Sequence, residues 1–313
     1  MNQFQRITRT GRLTALLVAL LCLFVVPNAF AGNGETLANF IPDDAKAVLS
    51  VDVAQLRASG ALDTLLRSTG ADTSLQQVAG QLETVGFNPR QQINTALVVV
   101  TSFDNRTRPL LIFEGNFPRQ AIEEALDKEA SAVRSAVGQV PVFTRGARGS
   151  LAFLAPDIAV IGPTPLVQAA AKIAAGEARS RLHRTLAREI GRADKTRNLW
   201  FAGMPPAEHL KNTPLEGARA IRGAANITAN LELVIDAVMA SSEAAAETTQ
   251  KSREQLNTLA SRDELAALGM APVIQAAEVA QRADTARMTL NLDQARFRRL
   301  LTTMATVIRD QLR

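Results

Sequence analysis

Ala47, Leu49, Val51 and Val53 alternate with Val48, Ser50 and Asp52, and a period of two predicts a strand. Between Gly60 and Val85 the apolar positions shift to near-helical spacing, broken around Gly70-Ala71-Asp72, which predicts two short helices. "ALVVVTSFDNRTRPLLIFEGNF" places two β-branched runs either side of a turn-prone Asp-Asn-Arg, the pattern of a hairpin. Asn116-Phe117-Pro118 opens a helix over "RQAIEEALDKEASAV". Strands are predicted at Val140–Thr144, Ser150–Ala155 and Ile158–Ile161, and Thr164-Pro165 begins the helix "LVQAAAKIAAG".

The second half repeats this order. Leu199–Met204 stands where Ala47–Val53 stood, and "ARAIRGAANITANLELVIDAVM" is a second hairpin, with Leu231, Leu233, Ile235, Ala237 and Met239 on one face and Glu232 and Asp236 on the other. Ser241-Ser242-Glu243 caps a helix reaching about Ala260. Val273–Arg282 and Thr285–Leu292 form another strand pair. Asp293 caps a closing helix whose apolar stripe runs Phe297, Leu300, Leu301, Met304, Val307, Ile308. Hairpins, not crossovers, join the strands, so the class is α+β: two tandem halves, each an antiparallel sheet with helices on one face. The predicted divisions are a leader over 1–31, a first half over 32–178, a basic linker helix over 179–197 and a second half over 198–313.

The leader changes the accounting. Arg6, Arg9 and Arg12 precede an apolar run from Leu13 to Val26, and Pro27-Asn28 leads to Ala29-Phe30-Ala31; this reads as a signal peptide cleaved near Ala31. The run is short of the roughly 20 residues that cross a bilayer, so no spanning segment is expected after cleavage. Cys22, the one cysteine, lies inside it without the small residue before or the polar stretch after that lipid attachment needs. The rest of the chain therefore has no disulfide and no cysteine metal site. Lys and Arg number 35 and Asp and Glu 30, and three of the arginines belong to the leader, so the exported chain is close to neutral. With one Trp and no Tyr beside that balance, no nucleic-acid partner is expected.

"IPDDAKAVLSVDVAQL", "VGFNPRQQINTALVVV" and "LLIFEGNFPRQAIEEAL" together resemble a loose class of exported bacterial proteins of unknown function, in which a Pro-x-Asp-Ala strand opening is followed by a Gly-x-x-Pro turn and a strand leading into a helix. The resemblance covers most of residues 40–130. It implies an envelope or secreted location and carries no catalytic residue.

"SRLHRTLAREIGRADKTR" holds the densest charge. At about 100° per residue from Leu182, Leu186 and Ile190 fall at about 40° and 80°, while Arg181, Arg184, Arg188, Arg192 and Lys195 fall between roughly 200° and 280°. Five cations on one face suit an anionic surface; equally, the apolar stripe docks on a core and the arginines face water. His183 and His209 are isolated, with no metal-ligand spacing and no cofactor implied. Gly146-Ala-Arg-Gly149-Ser150 reads as a turn rather than a nucleophile elbow, and Glu123, Glu124, Asp127 and Glu129 as a solvated helix face. The reading is an exported, non-catalytic protein, periplasmic or extracellular, binding or scaffolding an envelope protein or anionic lipid. A carrier of an apolar ligand between two sheets and a hydrolase using His183 or His209 stand as alternatives.

Overall fold

The computed structural model describes residues 35–69, 83–104, 108–146, 149–211, 213 and 215–311. The expected leader, most of the second helix expected before Val85 and residues 105–107 of the expected first hairpin turn lie outside the described residues. Twelve described strands are β1 Ala47–Asp52, β2 Ile93–Val100, β3 Leu110–Gly115, β4 Val133–Val137, β5 Val140–Thr144, β6 Ser150–Ala155, β7 Ile158–Gly162, β8 Leu199–Gly203, β9 Ala220–Ile227, β10 Leu231–Val238, β11 Ala277–Arg282 and β12 Thr285–Leu292. All join one antiparallel sheet in the order β11-β12-β10-β9-β8-β1-β2-β3-β7-β6-β5-β4. The class is α+β. The expectation of two separate sheets is corrected: β1 and β8, the lead strands of the two halves, pair with each other from Ala47↔Gly203 to Val51↔Leu199. That pairing closes the inner edge of both halves, and contacts so distant in sequence leave no local pattern. Outward from it, β2-β3-β7-β6 and β9-β10-β12-β11 run in matching order, and β5-β4 is an added hairpin.

Helices cover both faces, not one. On the first face lie α2 Val53–Ala58, α3 Ala61–Thr69, α4 Arg119–Lys128, α7 Ser242–Ala260, α8 Ala271–Gln275 and α9 Gln294–Gln311; on the second lie α1 Glu35–Ala38, α5 Thr164–Ala174 and α6 Arg184–Arg192. Strand alternation explains the division, because each strand sends every other side chain to each face. Leu49, Val98, Phe113, Phe153, Ile221 and Ile235 enter one core with Leu56, Leu62, Ile122 and Phe297. Val48, Leu97, Ile112, Val160, Trp200 and Ala224 enter the other with Leu37, Val167, Leu186 and Ile190. The closing helices of the halves part company here: Val167 and Ala171 of α5 pack on the second face, Leu300 and Leu301 of α9 on the first. The likeness between the two ends of the sheet thus covers strand order and the first-face helices that follow β3 and β10, and fails at the closing helices.

The cap signals are realised at α7, where the Ser241 hydroxyl accepts from the Ala244 N–H, and at α9, where Asp293 accepts from the Arg296 N–H at 2.9 Å. Three expected elements differ. The helix after Pro118, expected to reach Val133, ends at Lys128, and Val133–Val137 is strand β4, which was not expected from the sequence; Val273 belongs to α8, and its strand begins at Ala277; the linker helix is confined to Arg184–Arg192.

Candidate functional site: the basic helix and the charged row beneath it

Helix α6 sits on the second face against β8 and β9. His183 is its N-cap, its Nδ1 accepting from the Thr185 N–H at 3.3 Å, and three buried side chains, Leu186, Glu189 and Ile190, form its inner face. Burying the two aliphatic ones stabilises the docked helix by about 1.5–3 kcal/mol each. The third is a carboxylate with no solvent exposure at all, and such a group is tolerated only when paired and hydrogen-bonded.

Its partners define the site. Glu189 Oε1 accepts from Arg188 Nε at 2.7 Å, and Glu189 Oε2 accepts from Arg222 Nη1 on β9. Arg222 Nη2 donates at 2.8 Å to Asp236 Oδ2 on β10; Asp236 in turn accepts from Arg287 on β12, at 2.6 Å from Nε and 2.8 Å from Nη2. Arg287, Asp236, Arg222, Ala202, Val48 and Val99 occupy directly opposed positions on successive strands, so they form one row across the second face. The row is apolar at the centre of the sheet and ionic toward β12. Asp236 raises the Arg287 pKa above its ordinary value through these hydrogen bonds. Three guanidinium groups therefore alternate with two carboxylates, and the chain locks α6 to the second half of the sheet.

The five sequence-predicted cations separate into three groups. Arg184 and Arg192 are exposed on the outer side of α6 and have no acidic partner among the described residues. Arg188 is half exposed and turned by its Nε toward Glu189. Arg181 and Lys195 lie beyond the helix ends, a correction to the single five-cation stripe that follows from the shorter helix. Arg181 holds Asp43 through its backbone N–H at 2.5 Å, and the Lys195 ammonium stands 5.8 Å from the centre of the Trp200 ring. The flank is not purely basic: Asp194 pairs with Arg197 at 3.2 Å, and its carboxyl pKa is lowered, chiefly by the Thr196 hydroxyl.

Other sequence-marked groups stay apart. The His209 ring is exposed beside Phe103, 6.1 Å between centroids, away from His183. The Ser150 hydroxyl is buried and shared with Thr144 and Thr164 at 2.8 and 2.9 Å. Glu123, Glu124 and Asp127 line an open cleft of about 340 Å³ with Arg119, Gln120 and Arg134, where Arg119–Glu123 and Arg134–Asp127 both pair at 2.6 Å. Among the described residues no cluster of three His, Cys, Asp or Glu is placed to hold a metal ion, and no helix is long and apolar enough to cross a membrane. Among the described residues a pocket between two sheets has no counterpart, since the described strands make one sheet.

Neither a scan against protein-family models nor a search of curated proteins finds a match. The solved structures do. The fold resembles that of TP0453. Crystal form III of TP0453 superimposes with a TM-score of 0.51 over 85% of this chain and 96% of that one, at 8% identity. Crystal form IV gives 0.50 over 88% and 97%, again at 8%. At that identity TP0453 shares the fold, and its side chains assign nothing here.

The arginines of α6 stand out in the sequence, whereas Glu189, Arg222, Asp236 and Arg287 do not stand out there as one unit. Two signals were present: a glutamate between Leu186 and Ile190 on the inner face of a helix, and a charge in each of three neighbouring strands. Only the register reveals that those charges face one another.

Proposed function

We propose that the protein is exported and acts by binding, docking on an anionic lipid surface through the outer side of α6. The observation that carries this reading is the asymmetry of the helix. Leu186, Ile190 and the Glu189–Arg222 pair fix its inner side to a twelve-stranded sheet, while Arg184 and Arg192 project outward with Arg188 between them. Cations held on a rigid support lose little conformational freedom when they meet phosphates, and each contributes about 1 kcal/mol near an anionic membrane. Arg181 and Lys195 extend the basic zone at either end. The leader read from residues 1–31 supports an export route, and the engaged state of Ser150 and the separation of His183 from His209 support binding over bond-making chemistry.

The test compares the unmodified chain with the triple variant Arg184→Gln/Arg188→Gln/Arg192→Gln in co-sedimentation with phosphatidylglycerol vesicles. Loss of three such contacts is expected to weaken binding by about 30- to 150-fold. Equal binding by both proteins, with matching melting temperatures, would remove α6 from the function.

A further inference from the structure

The two ends of the sheet are unlike. At β11 the edge is guarded: Glu278 and Arg282 are exposed charges, Arg253 of α7 donates its Nε–H to the Val279 carbonyl at 2.9 Å, and Gln281 is tied to the Ser242 carbonyl at 2.8 Å. At β4 the edge is open. Val133–Ala136 are all exposed, Val133 to 65%, and β5 is the one described element that pairs with the strand. The register with β5 has no bulge, and the strand has neither proline nor lysine, so three devices that blunt an edge are absent from it. Its single charge, Arg134, is turned back over its own subunit, 2.6 Å from Asp127 and 5.2 Å from the centre of the Phe143 ring.

We propose that β4 pairs antiparallel with β4 of a second copy of this chain, extending one sheet through the other. The strand reads Val133-Arg134-Ser135-Ala136-Val137, nearly the same in both directions about Ser135. The two-residue turn at Gly138-Gln139 makes Val137 and Val140 a hydrogen-bonded pair, so by alternation Arg134 and Ala136 send their backbone groups outward. In a two-fold pairing centred on Ser135, Arg134 meets Ala136 of the second copy and exchanges both hydrogen bonds with it. Val133 then faces Val137 of the second copy, and the two serines face each other. No like charges stand directly opposite. The guarded β11 edge prevents head-to-tail growth, so the product is a closed dimer, not a fibre. Because the two-fold axis is perpendicular to the sheet, both α6 helices lie on the same side.

The chain from Gly32 onward contains every described residue and no cysteine, so a single introduced thiol is informative. Opposed residues of a non-hydrogen-bonded pair lie about 4.5 Å apart at Cα, within disulfide range. Under mild oxidation Ser135→Cys is expected to give a disulfide-linked dimer, and Ala280→Cys on β11 is not. An interface below about 1,200 Å² is weak, so sedimentation velocity between about 10 μM and 1 mM is expected to show the dimer growing with concentration. Ser135→Lys, at an exposed position, should shift that curve at least about tenfold toward monomer by opposing two ammonium groups. Cross-linking of Ser135→Cys no greater than that of Ala280→Cys, a monomer throughout, or a Ser135→Lys curve matching the unmodified chain would each overturn the proposal. None of these readouts depends on lipid binding.

Discussion

Replacing Arg222 with Ala tests whether the charged row holds α6 in place. The substitution leaves Asp236 with both of its bonds to Arg287, but it leaves Glu189, with no solvent exposure, dependent on the half-exposed Arg188 alone. Removing one partner of a buried ion pair costs about 3–5 kcal/mol when nothing else compensates; with Arg188 and Arg287 still present, about 2–3 kcal/mol is expected. At roughly 2 °C per kcal/mol for a chain of this length, the midpoint should fall by about 4–6 °C. Trp200, the single tryptophan, is 2% exposed beneath Lys195 in the core that α6 covers, so its emission reports the transition. The diagnostic variant is the double one. Adding Glu189→Gln removes the stranded charge, so Arg222→Ala/Glu189→Gln should be more stable than Arg222→Ala alone by about 1 kcal/mol or more, a coupling of the size seen between residues in direct contact. A midpoint for Arg222→Ala within about 1 °C of the unmodified chain, or simple addition in the double variant, would refute the reasoning.

Two further stability predictions concern single sites. Asp52 caps α2 by accepting from the Gln55 N–H, yet its pKa is raised, chiefly by burial. A carboxyl whose folded pKa lies above its unfolded one lowers stability above that range and stops doing so once it is protonated in both states. Asp52→Asn keeps a capping oxygen without the charge, so its midpoint in a thermal melt should equal or exceed the unmodified one at pH 7, with the difference vanishing below about pH 4. Asp52→Ala should instead lose about 1 kcal/mol at pH 7. Gly223 of β9 lies beneath the Phe201 ring and against the Val234 carbonyl, where an added Cβ would overlap both; Gly223→Ala should cost about 1–3 kcal/mol in a urea titration, and a cost below about 0.5 kcal/mol would show that Phe201 moves aside freely.

Local pattern carried the elements further than their assembly. The alternation in Leu231–Val238 gives β10 and its buried face directly, and Ser241 and Asp293 announce the starts of α7 and α9 because capping acts within one turn. β4 escaped since all but Val137 of its side chains are exposed: with no buried face it has no apolar alternation, and Glu129-Ala130-Ser131 continues a helix-compatible composition. The joining of the halves escaped for a different reason. Ala47 and Gly203 fit each other closely, with the Ala47 Cβ standing where a side chain at 203 would begin, yet neither residue signals the other from so far along the chain. The basic helix was legible as charge, while its anchorage was not, because Arg222, Asp236 and Arg287 become one row only through the registers of β9, β10 and β12.

Contact between α6 and negative charge is what the proposed binding rests on. Its most direct test is the affinity of the unmodified chain for phosphatidylglycerol vesicles as salt rises, set against phosphatidylcholine vesicles. Screening shortens from about 10 Å at 0.1 M to about 3 Å at 1 M, so exposed arginines should lose their hold steadily over that range, and neutral vesicles should bind little at any salt. Affinity that is flat with salt, or equal for the two lipids, would contradict the account.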